Sequence, residues 1–558
     1  MLLPNHPSPG VYSMENDLAT QIRMVTSGIC TLVLPMPKGE VGVNKSVRTT
    51  GEIDAAFGPS TGPYANNVQI AKILMSKAAV LNITRVGIDC KIASAYITSY
   101  NNLATCRPGP DSGFSKIENI PFNGQDIGLI YALSAYKGGS NIYFTFEPDV
   151  SDNLGIKFIL KVYENENRTP SETHVCTTRY YKDEAGNQFF VEDVIREASS
   201  LIGFTLNPNN SRLLADPNTV LISTIGGGPY NPNDPQAING QLRGGSDGQI
   251  IDIDHPDEAI ASSSLVAILE GWDNYRDWED VQVGILCDGG LTDPIIANKL
   301  DNLAQLRMDC IATHGIPVSY QSRDNAVAYR RGKKLWNGSE FTINGSWSSM
   351  ANADVKARDY DNARDFYVPA SVCAAYCMLN SDQVATWLAP AGMNRGRLDF
   401  ALDVRHRFKL TDRDMLVDNQ INPIALFEGE GIFMWGADTL YTTKSPLNDI
   451  GVRRLLSMLH ATVRINNLAP VFEPNDDLLR QQQRTSLEDI LEPIRLGRGL
   501  DWYEVVCDER NNPPIYEANG DLIIDVYLDP TRYTKRIHIS AIVPPVGDIQ
   551  FALDLIGN

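Results

Sequence analysis

The chain has 558 residues, 43% of them hydrophobic and 21% charged, a balance ordinary for folded protein in a length too great for one core; two to four domains are expected. Lys and Arg total 48 against 68 Asp and Glu, a net charge of −20 that argues against nucleic acid or an anionic membrane surface as partner. No apolar run approaches the roughly 18 to 20 residues that span a bilayer, and MLLPNHPSPG has neither the basic nor the apolar region of a secretory signal, so a soluble chain without membrane insertion is expected.

Residues 1–20 are rich in Pro, Asn and Ser around one apolar knot, Val11-Tyr12. Such an arm buries too little surface to fold alone. Ile22 to Leu34 reads as a strand, and Val41 to Val47 as another after a glycine-rich turn. Val68, Ile70, Ala71, Leu74 and Ala78 fall near helical spacing over 64–80, and the strand LNITRVG follows. From about 95 to 215 the chain turns β-rich (NIYFTFEPDV, GIKFILKVYENEN, HVCTTRYYKD), closing with the helix VEDVIREASSLI. Residues 215–250 are loop-dominated. VQVGILC, the amphipathic 293–308 and CIATHGIP then form a βαβ-like unit, and a polar stretch over 337–352 leads to a further strand and helix.

Near the end, Val452, Leu455, Leu456, Leu459 and Val463 make one helical stripe, with Arg453, Arg454 and Arg464 off it. Asn475 is the expected N-cap of a second helix that turns Leu487, Ile490, Leu491 and Ile494 inward. Asn519-Gly520 reads as a hairpin turn between PIYEA and DLIIDVYL. KRIHISAIV alternates as a half-buried strand. After Pro544-Pro545, IQFALDLI is apolar again and needs a sheet edge, in the same molecule or in a neighbour.

Reactive constellations are thin. Nine scattered cysteines, an odd number without a CxxC pair, read as reduced thiols. Gly244-Gly245-Ser246-Asp247-Gly248 matches GxSxG, the pattern of a serine hydrolase with Ser246 as nucleophile. The elbow requires a buried strand before the serine and a helix after it, and here a loop leads in and a proline soon follows. Asp252, Asp254, His255, Asp257 and Glu258 could hold a divalent cation or simply cap a helix. No P-loop, dinucleotide fingerprint or HExxH occurs, so no cofactor is expected. Arg480, Arg484, Arg495 and Arg498 form a basic strip on the second C-terminal helix or just after it, either solvated beside Glu488 and Asp489 or aimed at an acidic partner.

PSPGVY (7–12), LRGGSDG (242–248), WLAPAGMNRGRL (387–398), INPIALFEGEGIFMWGADTL (421–440) and the region from Val452 occur in an order that resembles the tail sheath proteins of contractile-tailed bacteriophages, related to those of R-type pyocins and contractile injection machines. The resemblance implies a non-enzymatic α+β, multi-domain subunit whose inner domain is built from both chain termini. The implied parts are an exchange arm (1–20), mixed α/β middle domains (21–95 and 215–442), an inserted β-rich outer domain (96–214), an inner tube-facing domain (443–545) and a second arm (546–558). Gly10, Val11, Tyr12, Phe551, Leu553 and Leu555 would then pair with neighbouring copies, and Arg480, Arg484, Arg495 and Arg498 would face the tube. Implied partners are the chain itself in six-fold helical rings, the tail tube protein, and the baseplate and tail terminator proteins. The implied location is the virion tail, after assembly in the host cytoplasm. A serine hydrolase using Ser246 is the alternative.

Overall fold

The computed structural model describes residues 27–535, apart from 209–239, 336, 467–469 and short stretches between 101 and 185. The chain divides into two compact units, with the boundary in sequence at Ile465–Asn466.

The large unit opens with β1 (Ile29–Pro35), β2 (Asn44–Val47), α1 (Thr50–Phe57), α2 (Ala65–Met75) and β3 (Val80–Val86). An insert follows: β4 (Ser94–Tyr100), β5 (Leu103–Pro108), β6 (Asp126–Ala132), β7 (Ile142–Pro148), β8 (Phe158–Glu164), β9 (Glu172–Cys176), α3 (Val191–Ala198) and β10 (Ile202–Leu206). The chain then runs through α4 (Glu258–Asp273), β11 (Ile285–Cys287), α5 (Pro294–Arg307), β12 (Ile311–His314), α6 (Arg323–Arg330), β13 (Ser348–Asn352), β14 (Val355–Asp359), β15 (Arg364–Val368) and α7 (Ala370–Asp382). It ends with α8 (Gly392–Arg395), β16 (Ala401–Val404), α9 (Leu410–Asp418), β17 (Ile421–Phe427), β18 (Gly431–Met434) and α10 (Ile450–Asn466). The C-terminal unit holds α11 (Asp477–Leu496), β19 (Leu500–Val506), α12 (Pro514–Asn519) and β20 (Asp525–Pro530).

The centre is an eight-stranded sheet in the order β18-β17-β13-β12-β11-β1-β3-β2. Its inner pairs are parallel and its two outermost strands antiparallel. A parallel sheet needs cover on both faces, and β1 shows the consequence. Cys30, Leu32 and Leu34 enter the core lined by α2 and α7, whereas Val33 enters the core lined by Trp272 of α4 and Leu300 of α5. Contact with α4 is close because a Cβ on Gly271 would lie 2.6 Å from Val33 Cγ1, so glycine is required there. The insert is a four-stranded antiparallel sheet (β10-β6-β4-β5) and a three-stranded one (β7-β8-β9) sharing a core of Ile97, Ile130, Phe144, Phe158 and Ile195. Mixed helices and several sheets are therefore present, as expected for an α+β chain. Among the described residues no helix is long and apolar enough to cross a membrane.

Four local expectations are corrected. The polar stretch 337–352 ends in β13, whose SSMAN is wholly buried at the centre of the sheet, because its hydroxyls are bonded inside: Ser348 Oγ donates to Asp301 at 2.6 Å. Arg453 and Arg454 lie buried in α10; Arg453 stacks 3.7 Å above the Trp347 ring, and Arg454 meets Asp382. The N-cap of α11 is Asp476, whose carboxylate accepts from Leu479 N–H at 2.8 Å, while Asn475 donates to the Asp521 carbonyl. Asn519-Gly520 ends a helix, α12, instead of joining two strands. Pro514 favours the first turn of a helix, and Gly520 at φ +79° stops it.

Candidate functional site

The C-terminal unit is a helix laid on a two-stranded antiparallel sheet. Leu487, Ile490, Leu491 and Ile494 bury one face of α11, as their spacing predicts, and the Tyr503 hydroxyl of β19 bonds Glu492 of α11 at 3.1 Å. Arg480 is buried, with Nε 3.3 Å from Asn475 Oδ1 and Nη1 3.3 Å from Asp477 Oδ1, so it serves the first turn of its own helix. Arg484 and Arg495 are exposed, each paired along the helix: Arg484 with Glu488 at 2.9 Å and Arg495 with Glu492 at 2.6 Å. The hydrogen bonds from Arg495 hold the Glu492 carboxyl below the usual range. Arg498 is exposed just past the helix, at φ +61°. The helix thus brings Arg484, Arg495 and Arg498 to solvent and withdraws Arg480. Gly10, Val11, Tyr12, Phe551, Leu553 and Leu555 lie outside the described residues, as does most of the strand expected at KRIHISAIV.

Ser246 does not sit on an elbow. Among the described residues no strand leads directly into it and no helix follows directly; its backbone pairs with Lys91, and its hydroxyl accepts from Gly248 N–H at 3.2 Å. The loop's glycines are explained by crowding: a Cβ on Gly248 would lie 2.0 Å from the Ile88 carbonyl. The acidic cluster is a helix entry. Asp257 caps α4 by accepting from Ala259 N–H at 3.0 Å, and His255 Nδ1 accepts from Asp257 N–H at 3.0 Å. Among the described residues, no three His, Cys, Asp or Glu side chains gather to hold a metal.

Doubly wound sheets bind ligands where the strand order reverses, here between β1 and β11. Asp288, at the end of β11, fills that place. It is fully buried and accepts from Gly290 N–H at 2.9 Å and Gly315 N–H at 2.8 Å. Burial raises its carboxyl above the usual range. Donors that would cradle an anion are thereby spent on the protein's own side chain.

Two features escaped the sequence reading. The buried Arg454–Asp382 pair joins residues distant in the chain and left no local signal. The bare face of the β19–β20 sheet carries Trp502 and Tyr527, each two residues from a carboxylate (Glu504, Asp529), an alternation legible in hindsight.

The fold is that of a sheath protein. It superposes on the sheath tail protein of Listeria innocua with a TM-score of 0.53, at 12% identity, over 91% of this chain and 96% of that one. More particularly, the chain is similar to the tail sheath proteins of two phages. It is 26% identical to that of Enterobacteria phage T4 over 295 residues, 50% of this chain and 45% of that protein. It is 27% identical to that of Vibrio phage KVP40 over 359 residues, 56% and 53% of the two. The chain spans about half the length of these curated relatives. No family model matches it.

Proposed function

We propose that this protein is the structural subunit of a contractile tail sheath, polymerising helically around a tube and shortening to drive that tube through a host envelope. The observation that carries the reading is the 295-residue match to the T4 tail sheath protein, supported by the sheath-protein fold. The loop setting of Ser246 removes the support for a serine hydrolase.

In this reading a non-closing contact between identical subunits generates the helix. The arms at 1–20 (Gly10, Val11, Tyr12) and 546–558 (Phe551, Leu553, Leu555) add strands to neighbouring copies, so subunits stay connected while compact units rotate as rigid bodies. Energy is held in the lattice, with no nucleotide and no reactive pocket. The α11 strip (Arg480, Arg484, Arg495, Arg498) faces the tube; Arg484, Arg495 and Arg498 make the contact, and Arg480 shapes the helix start. Baseplate and terminator proteins bound the assembly, in six-fold rings, within the virion tail after assembly in the host cytoplasm.

Negative-stain microscopy of the purified chain tests this. Striated tubes are expected. A monodisperse monomer under all salt conditions, with ester hydrolysis abolished by Ser246→Ala, would overturn it.

A further inference from the structure

In the β19–β20 ladder, Trp502 stands opposite Asp529 and Glu504 opposite Tyr527. Residues directly opposite in an antiparallel pair share a face, and successive residues alternate faces, so these four side chains lie together. Tyr503 and Val505, with Leu528 and Val526 across from them, project from the other side, where Tyr503 reaches Glu492 of α11. Among the described residues, the helix therefore lies on one face of the sheet and the four-residue face is left bare. Trp502 is 52% exposed and Tyr527 55% exposed. Two large aromatic rings at that exposure are costly to leave in water unless something covers them.

The carboxylates on this face are also uncommitted. Among the described residues Glu504 and Asp529 make no hydrogen bond or ion pair, whereas other acids of this unit do: Asp476 caps α11, Glu488 and Glu492 hold arginines, and Asp508 chelates Arg510 with 2.8 and 2.9 Å contacts. Arg510 feels the charge of Glu504, but its guanidinium is held by Asp508 at 2.8 Å.

Rings interleaved with free carboxylates have a definite complement. A planar guanidinium stacks on an indole or phenol face while its N–H fork meets a carboxylate; a compact ammonium satisfies only the second requirement. We propose that the Trp502–Glu504–Tyr527–Asp529 face is a docking surface for an arginine-bearing polypeptide segment of a partner, which lays guanidinium groups on the two rings and pairs them with the two acids. The proposal is independent of the tail sheath reading, since it rests only on the chemistry of this face.

Binding of a short alternating arginine peptide to the full chain, followed by calorimetry at low ionic strength, tests it. Saturable one-site binding is expected, weakened at least tenfold in Trp502→Ala and in Glu504→Gln with Asp529→Asn, and weaker for the lysine analogue in the wild type. Glu428→Gln with Glu430→Gln removes the same charge from the β17–β18 turn and is expected to leave binding unchanged. Unchanged far-UV circular dichroism and melting temperature, expected because all four side chains are surface ones, separate lost binding from lost folding. Equal weakening by both double variants, or equal affinity for arginine and lysine peptides, would reduce the effect to attraction by the net charge of −20 and overturn the proposal. Tube formation by these variants is a separate readout: its failure in the wild type would count against the sheath function and leave this surface standing.

Discussion

Arg454 Nη2 lies 2.6 Å from both carboxylate oxygens of Asp382, in a pair whose side chains are 5% and 4% exposed. Arg454 belongs to α10, the last helix of the large unit, and Asp382 ends α7, the helix packed on the central sheet. Arg454 also donates to the Met378 carbonyl at 3.1 Å. Removing one partner strands the other charge in a low-dielectric site. Asp382→Ala is therefore expected to cost about 3–5 kcal/mol, and the paired change Arg454→Met with Asp382→Leu to recover most of it. Urea denaturation of the three chains measures both, and a loss no greater in the single variant than in the double one would contradict the pairing.

His314 gives the fold an acid limit. It is fully buried at the end of β12, with Nε2 3.1 Å from Ser348 Oγ, and burial holds its imidazole down to about 3. An unfolded histidine titrates near 6.5, so the unfolded chain takes up this proton first and stability falls progressively as pH drops from about 6.5 to about 3. His314→Gln is expected to flatten that part of the profile, whatever its effect at neutral pH. Denaturation midpoints at pH 7, 5 and 4 give the slope.

A second, lower acid transition belongs to the insert. Burial alone would raise Glu172, but bonds from His174, Ser199 and Ser200 outweigh it and hold the carboxyl at about 2. Stability from this depressed carboxyl is present above the unfolded value of 4.5 and lost as pH falls from 4.5 toward 2. Glu172→Gln should remove that loss and cost stability at pH 7, by at most about 3 kcal/mol from the shift itself. Hydrogen exchange in β9 and α3 at pH 5 and pH 3 localises the effect.

The tube contact proposed for α11 predicts a charge effect. Arg484→Glu with Arg498→Glu should abolish assembly of subunits around tubes at low salt, whereas Arg480→Gln should chiefly lower the thermal stability of the C-terminal unit. Co-sedimentation with tubes across a salt series distinguishes the two outcomes.

Deletion of residues 1–20 tests the arm. A soluble chain with an unchanged melting temperature that no longer polymerises is expected; full-length tubes from the truncated chain would remove strand exchange through that arm.

Much of this was legible because periodicity is local. The stripes of α2, α5, α10 and α11 and the βαβ run from β11 to β12 follow from spacing alone. What stayed hidden depends on partners far along the chain. Arg453 and Arg454 stand off the apolar stripe, and contacts far along the chain, with Trp347 and Asp382 among them, make their burial tolerable. SSMAN reads as loop because its hydroxyls find bonds only once β12 and α5 are beside it. Asn519-Gly520 carries a strong hairpin signature, yet Pro514 and the residues after it favour a turn of helix. The spacing of Arg480 places it with the surface charges, and its bonds to Asn475 and Asp477 accompany its burial.

The pairing of β1 with β11 has a consequence for biosynthesis. Cys30 lies beside Ile285, so one long edge of β1 waits for a strand made only after the entire insert has left the ribosome. At about 5–20 residues per second, that interval is on the order of tens of seconds. Meanwhile the insert, with a core of its own, has time to fold, while ICTLVLP stands open to any passing strand. Yield of native chain should therefore depend on how well the nascent β1 edge is shielded, by chaperones or by slow, cool expression, more than on the final stability of the folded subunit.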